Sequence, residues 1–388
     1  MTNYNKSWCA QGSESNGIRL AIVGIGNCAS SLVQGITCYG NMNDAGGVPG
    51  IIHPLVGSYS IGSIKPIVGF DIDERKVGKD ISEAIFKKPN VTTKFSDVPN
   101  LDARVFMGPI LDGLPKHMAL IDPEMSFVAS KERPVDVAKV LRDYSIDVVV
   151  NYLPVGSKKA TEFYANAAID ARCAFVNCIP IFIASDEKWI QTFEEAGLPV
   201  LGDDVKSQLG ATWTHRVLIQ AFLDRGVRIL DTKQENYAGN TDFLNMMDPE
   251  RIKTKLASKK SSIEHLIEDH KNGGYEIPPV YAGPAQGENN HGYVPGRNDR
   301  KMARITINGV SFGNQPINIK AELEVEDSPN SAGIVVDAIR CAKLSLNRGV
   351  KGAVPSASSF FFKHPYEKIP DSEAIIRLES FIRGDIRR

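Results

Sequence analysis

Short apolar runs and helix-period segments alternate through the first half of the chain. Residues 18–23 (Ile-Arg-Leu-Ala-Ile-Val) form a β-branched run of strand length, and similar runs recur at 64–70, 146–150, 174–177 and 198–201. Between them, apolar residues return every three to four positions over 134–144, 158–171, 187–196 and 211–225, the spacing of a helix with one buried face. Strands that read as nearly continuous apolar runs are covered on both sides, and the alternation with helices calls for parallel crossovers. The pattern predicts an α/β fold, a doubly wound parallel sheet of the Rossmann-like type.

After 211–225 the pattern changes. A strand over 227–236 is followed by a charged run, 251–260, which reads as a solvated helix face, and by a loop rich in Gly, Pro and Asn over 273–298. Strands over 302–307 and 317–325 look antiparallel. A long helix over 334–347 follows the capping sequence Ser328-Pro329-Asn330-Ser331. The expected organisation is a polar tail, 1–17, then a dinucleotide-binding domain over 18–236. A second α+β domain with its own sheet follows over 237–330, and a terminal helix and tail, 331–388, return to the first domain.

Length and charge narrow the class. At 388 residues the chain can bury two cores, and a formal charge of -1 gives no pull toward nucleic acid or an acidic membrane. No stretch reaches the roughly 20 apolar residues that span a bilayer, and residues 1–16 lack a hydrophobic signal core. The expectation is a cytoplasmic protein acting on a small molecule, with no nucleic-acid or membrane partner. The six cysteines form no CxxC pair, so they read as reduced, mostly buried thiols.

Candidate chemistry lies at the strand ends. The first strand runs into Gly24-Ile25-Gly26-Asn27-Cys28-Ala29, a strand-turn-helix sequence. Its glycines allow a sharp turn and close approach to a pyrophosphate, Ala29 fills the close-packing position, and the helix start offers free N–H groups. Asp71, at the end of the second strand, is the acid expected to accept from an adenosine ribose, which favours NAD over NADP. It stands farther from the glycines than the usual separation of about 20 residues. An insertion over 40–62 accounts for the excess, and Asp73 or Asp80 could serve instead. Farther on, Asn151-Tyr152-Leu153-Pro154-Val155-Gly156-Ser157 and Gly202-Asp203-Asp204-Val205-Lys206-Ser207-Gln208 are polar loops at carboxyl ends of strands, where ligands bind in open α/β sheets. A lysine set between Asp204 and Ser207 is a candidate for chemistry, although a solvated turn would read the same way.

Those loops, with Val23-Gly24-Ile25-Gly26-Asn27-Cys28-Ala29-Ser30-Ser31, Gly239-Asn240-Thr241-Asp242-Phe243-Leu244-Asn245 and Asp327-Ser328-Pro329-Asn330-Ser331-Ala332-Gly333, closely resemble the myo-inositol-1-phosphate synthase family in its compact bacterial and archaeal form. The resemblance covers nearly the whole chain from Ile18 onward. It implies conversion of D-glucose 6-phosphate to 1D-myo-inositol 3-phosphate with no net redox change. In that reaction NAD+ takes a hydride from C5, loss of a C6 proton gives an enolate, C6 attacks the C1 aldehyde, and the hydride returns to C5.

By this resemblance Lys206, Lys259, Lys301 and Lys363 are the active-site lysines, and Asp204 and Asp327 position them or shuttle protons. Lys206 and Lys259 are expected at O5, Lys363 near O1 and the phosphate, and Lys301 paired with Asp327. The resemblance adds Asp80, Tyr144, Tyr164, Ser207, Asp242 and Lys255 to the cofactor contacts of Gly24, Gly26, Asn27, Cys28, Ala29 and Asp71. It also implies a homotetramer formed through the second sheet. Family members differ in needing a divalent or a monovalent cation, which leaves the metal open. Eukaryotic members carry a further lysine just after the position of Lys206, where this chain has Gln208-Leu209-Gly210-Ala211. Two other readings stay open: a paralogous cyclase acting on a sugar phosphate such as fructose 6-phosphate, and an NAD-linked dehydrogenase with net turnover.

Overall fold

A computed structural model describes residues 17–40, 47–269, 277–286 and 292–388. The polar tail and Cys9 therefore lie outside the described residues. So do parts of the 40–62 insertion and of the 273–298 loop.

The chain begins with β1 (Ile18–Val23) and α1 (Asn27–Tyr39), then β2 (Ile64–Asp71), a single turn α2 (Ile81–Ala84) and β3 (Val105–Met107). It continues with α3 (Val137–Asp143), β4 (Val148–Asn151), α4 (Lys158–Asp170), β5 (Ala174–Asn177), α5 (Glu187–Ala196), β6 (Pro199–Leu201) and α6 (Ala211–Asp224). A second group follows: β7 (Arg228–Tyr237), α7 (Thr241–Asn245), α8 (Pro249–Asp269), β8 (Val280–Pro284), β9 (Arg300–Val310) and β10 (Pro316–Glu326). The chain ends with α9 (Asp327–Asn347), β11 (Gly352–Ala353), α10 (Pro355–Phe361) and α11 (Asp371–Arg383).

Seven strands form one parallel sheet in the order β11-β6-β5-β4-β1-β2-β3. Strand order reverses between β1 and β4. In such a sheet the crevice above that reversal is where a ligand fits, because the connections leave it on opposite faces. The run of buried residues in β4, β5 and β6 is explained by cover on both sides. One face packs against α1 and α9 through Leu32, Val33, Val335 and Ile339, the other against α4 and α5 through Ala165, Ala168 and Phe193.

The second sheet has the order β10-β9-β7-β8, with β9 antiparallel to both neighbours and β8 parallel to β7. Its inner face holds Ile229, Ile305 and Ile307 against Ile219 and Phe222 of α6 and Ile263 and Leu266 of α8. The strand read over 227–236 and assigned to the first domain is thus β7. It hydrogen-bonds within the second sheet, so the division between the sheets falls before it and not at 236. The loop read over 273–298 contains β8, a strand whose apolar signal is only Val280, Tyr281 and Ala282.

The long terminal helix begins at Asp327, not at Ile334, so the division placed after residue 330 falls inside α9. Its first amides are satisfied from elsewhere: Asp327 N donates to Asp299 O and Ser328 N to Asp299 Oδ2, each at 3.0 Å. The Ser-Pro-Asn-Ser stretch therefore lies inside the first turns and does not cap them. Farther along α9, fully buried Arg340 pins the described end of the insertion. It donates to the carbonyls of His53 at 2.6 Å and Pro54 at 2.9 Å and is ion-paired with Asp337.

Candidate active site

The carboxyl ends of β1, β2, β4, β5 and β6 open into one cavity that also receives residues from α7, α8, β9, α9 and the segment after α10. At one end is the glycine turn. Gly24 has φ +85°, and a Cβ there would come within 2.8 Å of the Tyr152 carbonyl oxygen, so only glycine lets β1 approach the loop after β4. At Gly26 nothing lies within 4 Å of where a Cβ would stand, which leaves the start of α1 open to a ligand.

Asn27 and Cys28 line the cavity as well, although Asn27 Oδ1 also accepts from Val91 N at 2.7 Å and Thr92 N at 3.1 Å. Ala29 is buried within α1, where it packs and does not face the cavity.

Of the three candidate acids, only Asp71 lines the cavity. Its Oδ2 accepts from Ile25 N at 2.7 Å, and its Oδ1 from Ile72 N at 2.7 Å and Asp73 N at 2.9 Å. A carboxylate has about four acceptor positions, so one remains for a ligand. Asp80 is spent on the protein. It caps α2 and accepts from Ser82 N, Ser82 Oγ, Leu101 N and Ala103 N at 2.5–3.2 Å. Burial pushes its carboxyl up, but those hydrogen bonds outweigh it and hold the group below the usual carboxylate range. Asp73 is buried and taken by Arg75 and the amide of Val128. Neither can receive a ribose.

Tyr144 is displaced too. It ends α3, its ring meets Phe106 edge-on, and its carbonyl accepts from Arg19 Nε at 2.9 Å, all outside the cavity. Tyr164 of α4 does line it. Sequence reasoning passed over Lys76, whose buried ammonium donates to Ile25 O and Asn90 Oδ1, each at 2.9 Å, and so braces the turn from beneath.

At the other end stand five lysines, Lys206, Lys255, Lys259, Lys301 and Lys363, with Asp204, Asp242 and Asp327. Most are paired. Lys255 meets Asp242 at 2.5 Å, Lys301 meets Asp327 at 2.7 Å, and Lys363 meets Asp204 at 2.9 Å. Asp204 has φ +61°, a left-handed conformation that aspartate tolerates better than most residues, and its second oxygen accepts from Ser258 Oγ at 2.7 Å.

Asp203 faces the other way and is an anchor. Its buried carboxylate accepts from Asn177 Nδ2, the amides of Ile183, Ala184 and Ser185, and Ser185 Oγ at 2.7–3.1 Å. Burial pushes it up to about 7, against the pull of those donors. The loop is braced further by the segment after α10: Asp203 and His364 exchange backbone hydrogen bonds, Lys363 N donates to Asp204 O, and Lys206 N donates to Phe361 O. Ser207 lines the cavity beyond this brace.

Lys206 reaches past the cavity wall to Asp371 Oδ1 at 2.6 Å and Ser359 O at 3.2 Å. Lys259 is the exception. Among the described residues it has no carboxylate partner, and it is only 5% exposed. Burial, with Lys301, Lys255 and Lys363 nearby, drives its pKa well below the ordinary lysine value. By contrast Lys255, half-buried, is held above that value because Asp242, Asp204 and Asp327 outweigh its desolvation. The charged run 251–260 is therefore only partly a solvated face: Lys253 and Lys260 stay exposed. Arg251, Lys255 and Lys259 turn inward, and Arg251 donates to Val155 O at 2.9 Å and Ser157 Oγ at 2.9 Å, tying α8 to the loop after β4. Asp299, Arg216 and Asp371 were also missed. Each carried only the signal of a lone charge in a polar stretch.

A cavity with a dinucleotide-type turn at one end and an excess of ammonium groups at the other suits a nucleotide cofactor beside an anionic substrate. Among the described residues, no group of three or more His, Cys, Asp or Glu side chains is placed to hold a metal ion. Comparison with known proteins agrees with the geometry. A family model described as myo-inositol-1-phosphate synthase matches residues 210–328. An inositol-3-phosphate synthase of Corynebacterium glutamicum is 47% identical over 367 residues, covering 94% of this chain and 98% of that relative.

The chain belongs to the myo-inositol-1-phosphate synthase family.

An inositol-3-phosphate synthase of Mycolicibacterium smegmatis is 46% identical, with 95% of this chain and 98% of the relative covered. Among solved structures, a myo-inositol-1-phosphate synthase-related protein of Thermotoga maritima superposes with a TM-score of 0.73 at 26% identity, covering 95% of this chain and 98% of that one. The Caenorhabditis elegans inositol-3-phosphate synthase shares the fold, with a TM-score of 0.71 at 14% identity over 94% of this chain and 85% of that one. For this member of the synthase family, the unpaired lysine has a measurable consequence. The ammonium of Lys259 is disfavoured in the fold, so folding releases a proton between its lowered pKa and the ordinary value near 10.4, and stability rises with pH across that window. Lys259→Met is expected to flatten that slope and to raise stability at neutral pH, read by urea denaturation at several pH values. An unchanged slope would show that Lys259 is solvated.

Proposed function

We propose that this chain is an inositol-3-phosphate synthase that converts D-glucose 6-phosphate to 1D-myo-inositol 3-phosphate with NAD as a recycled cofactor. The observation that carries the reading is that the glycine turn and the lysine cluster line one cavity. The residues fit NAD: Gly26 leaves room at the start of α1 for the pyrophosphate, Asp71 keeps an acceptor position for the ribose, and Tyr164, Ser207 and Asp242 line the path toward the lysines. When bound, NAD+ supplies the hydride acceptor at C5 and, once reduced, the donor that restores it.

The protein's own groups do the rest. Lys259, whose amine is favoured neutral, takes the proton of the C5 hydroxyl. Lys206 donates to the same oxygen while it is a carbonyl and as charge grows on it during loss of the C6 proton, a loss balanced when the O1 alkoxide takes up a proton after closure. Lys363, held by Asp204, stands at O1, where aldol closure creates an alkoxide, and near the phosphate. Lys301, held by Asp327, adds fixed positive charge. The excess of ammonium groups over carboxylates at this end is what a phosphate dianion and an enolate both require. A divalent or monovalent cation is left as a variable of the assay.

No described helix is long and apolar enough to cross a membrane, and the five described cysteines are free thiols. We place the enzyme in the cytoplasm. Among the described residues, its four-stranded sheet leaves β10, an 11-residue edge strand, uncovered, with Phe312 of the β9–β10 turn fully exposed. We assign that side to a homotetramer interface. Sedimentation equilibrium should give four chains per particle, and a monomer at micromolar concentration would rule the assignment out.

The deciding experiment incubates the protein with NAD+ and D-glucose 6-phosphate, follows NADH absorbance and identifies the product by NMR. Inositol phosphate without net NADH is expected, and Lys206→Ala or Lys363→Ala should each cost about 100-fold or more in turnover while NAD still binds. Net NADH would make the protein a dehydrogenase, and turnover of fructose 6-phosphate alone would make it a paralogous cyclase. In calorimetric titrations, Asp71→Asn should weaken NAD binding by about tenfold, the loss of one hydrogen bond to a charged acceptor, while Asp80→Asn leaves it unchanged. Equal effects of the two would undo the assignment of the ribose acid.

A further inference from the structure

Behind the cavity wall, away from the glycine turn, Asp371 at the start of α11 bridges two cations. Its Oδ1 accepts from Lys206 Nζ at 2.6 Å and its Oδ2 from Arg216 Nε at 2.6 Å. Arg216, on α6, is 7% exposed along its side chain and also donates to Ser262 O of α8. Asp371 does not line the cavity. It touches neither end of it and acts only through Lys206.

We propose that Asp371 is the positioning residue of Lys206, fixing its direction and keeping it in the ammonium form that serves the substrate oxygen. The charges around Lys206 make the case. Arg216 approaches from α6, Lys363 from the segment after α10, and Lys259 lines the cavity from α8. His265 of α8 and Lys368 line the small recess behind Lys206, where His265 Nε2 and Lys368 O are 2.8 Å apart. Asp204, the other nearby acid, is paired to Lys363 and Ser258.

Among the described residues, Asp371 is thus the only carboxylate paired with Lys206. Burial and the cations Arg216 and Lys363 all push the Lys206 pKa down, and Asp371 opposes them. Lys206 has little rotational freedom left, because Asp371 and Ser359 O both hold its ammonium. Placing Asp371 on the last helix makes the docking of α11 a condition for a correctly charged Lys206.

This inference rests on Lys206 acting in the synthase reaction, and the test separates the two. An ammonium that must be protonated loses activity as pH rises through its pKa. Removing its counter-charge lowers that pKa, so in Asp371→Asn the alkaline limb of the kcat profile should move to lower pH by about 1–3 units, the range for loss of an adjacent opposite charge. Removing the neighbouring cation should do the reverse, so in Arg216→Gln the limb should move to higher pH. Asp371→Glu should restore the limb toward its original position.

Opposed shifts in the two variants, with NAD affinity retained, support the assignment. A purely structural Asp371 would lower activity or thermal stability in both variants while leaving the limb where it was, and that result overturns the proposal. If Asp371→Asn does not fold, Arg216→Gln still reports the limb, and a limb that does not move to higher pH in that variant overturns the proposal. If Lys206→Ala retains turnover, the synthase assignment of Lys206 fails first, and any limb shift belongs to another group.

Discussion

Five lysines around one cavity would repel each other if all were charged, and the way that repulsion is contained organises this protein. Unscreened, two like charges about 4 Å apart cost about 4 kcal/mol at the effective dielectric of a protein surface, and more where water is excluded. Four of the lysines are held beside a carboxylate, and each carboxylate arrives on a different part of the chain: Asp204 after β6, Asp242 in α7, Asp327 at the start of α9 and Asp371 at the start of α11. The fold brings those segments to one place because the seven-stranded sheet ends there, and because the second sheet delivers Lys301 on β9 and its partner just beyond β10. Lys259 stays uncompensated among the described residues. The repulsion is relieved there by losing the proton instead of by pairing, which leaves a neutral amine among four held ammonium groups.

The two sheets are coupled through buried polar contacts more than through a shared apolar core. Asp299 illustrates this. Its side chain accepts from Asn240 Nδ2 and Ser328 N, and its carbonyl from Asp327 N, so one residue joins the loop before α7, the end of the second sheet and the start of α9. Burial and the nearby Asp327 push its carboxyl up to about 6. Arg251 makes a parallel connection from α8 to the loop after β4. Losing either would loosen the cavity without emptying a core.

The parallel sheet was legible in the sequence because its strands are covered on both faces and read as unbroken apolar runs. β1 and β5 have the limits that periodicity assigns, and α4, α5 and α6 fall within a residue of theirs. The second domain was less legible. β8 has a weak apolar signal, and α9 starts earlier than its apolar periodicity because its first turn is capped from a distance by Asp299. In the site, the glycine turn and the lysine loops could be found because they are local motifs. The choice of Asp71 over Asp80 could not, since it depends on where Ser82, Leu101 and Ala103 point their amides and hydroxyl. Asp371 and Arg216 were invisible for the same reason: a counter-charge is defined by its partner across space, and a lone aspartate after a proline reads as an ordinary helix start.

The brace between residues 203–206 and 361–364 gives the chain a direction in time. A ribosome releases the glycine turn well before the segment carrying Lys363, His364 and Asp371, yet that segment supplies the backbone partners that hold Asp203, Asp204 and Lys206 in place. A nascent chain can therefore assemble most of its parallel sheet while Lys206 still lacks its carboxylate and Asp204 its lysine. The enzyme is finished only when α11 docks, and a chain cut before it by proteolysis would keep its cofactor turn and have no working reaction centre.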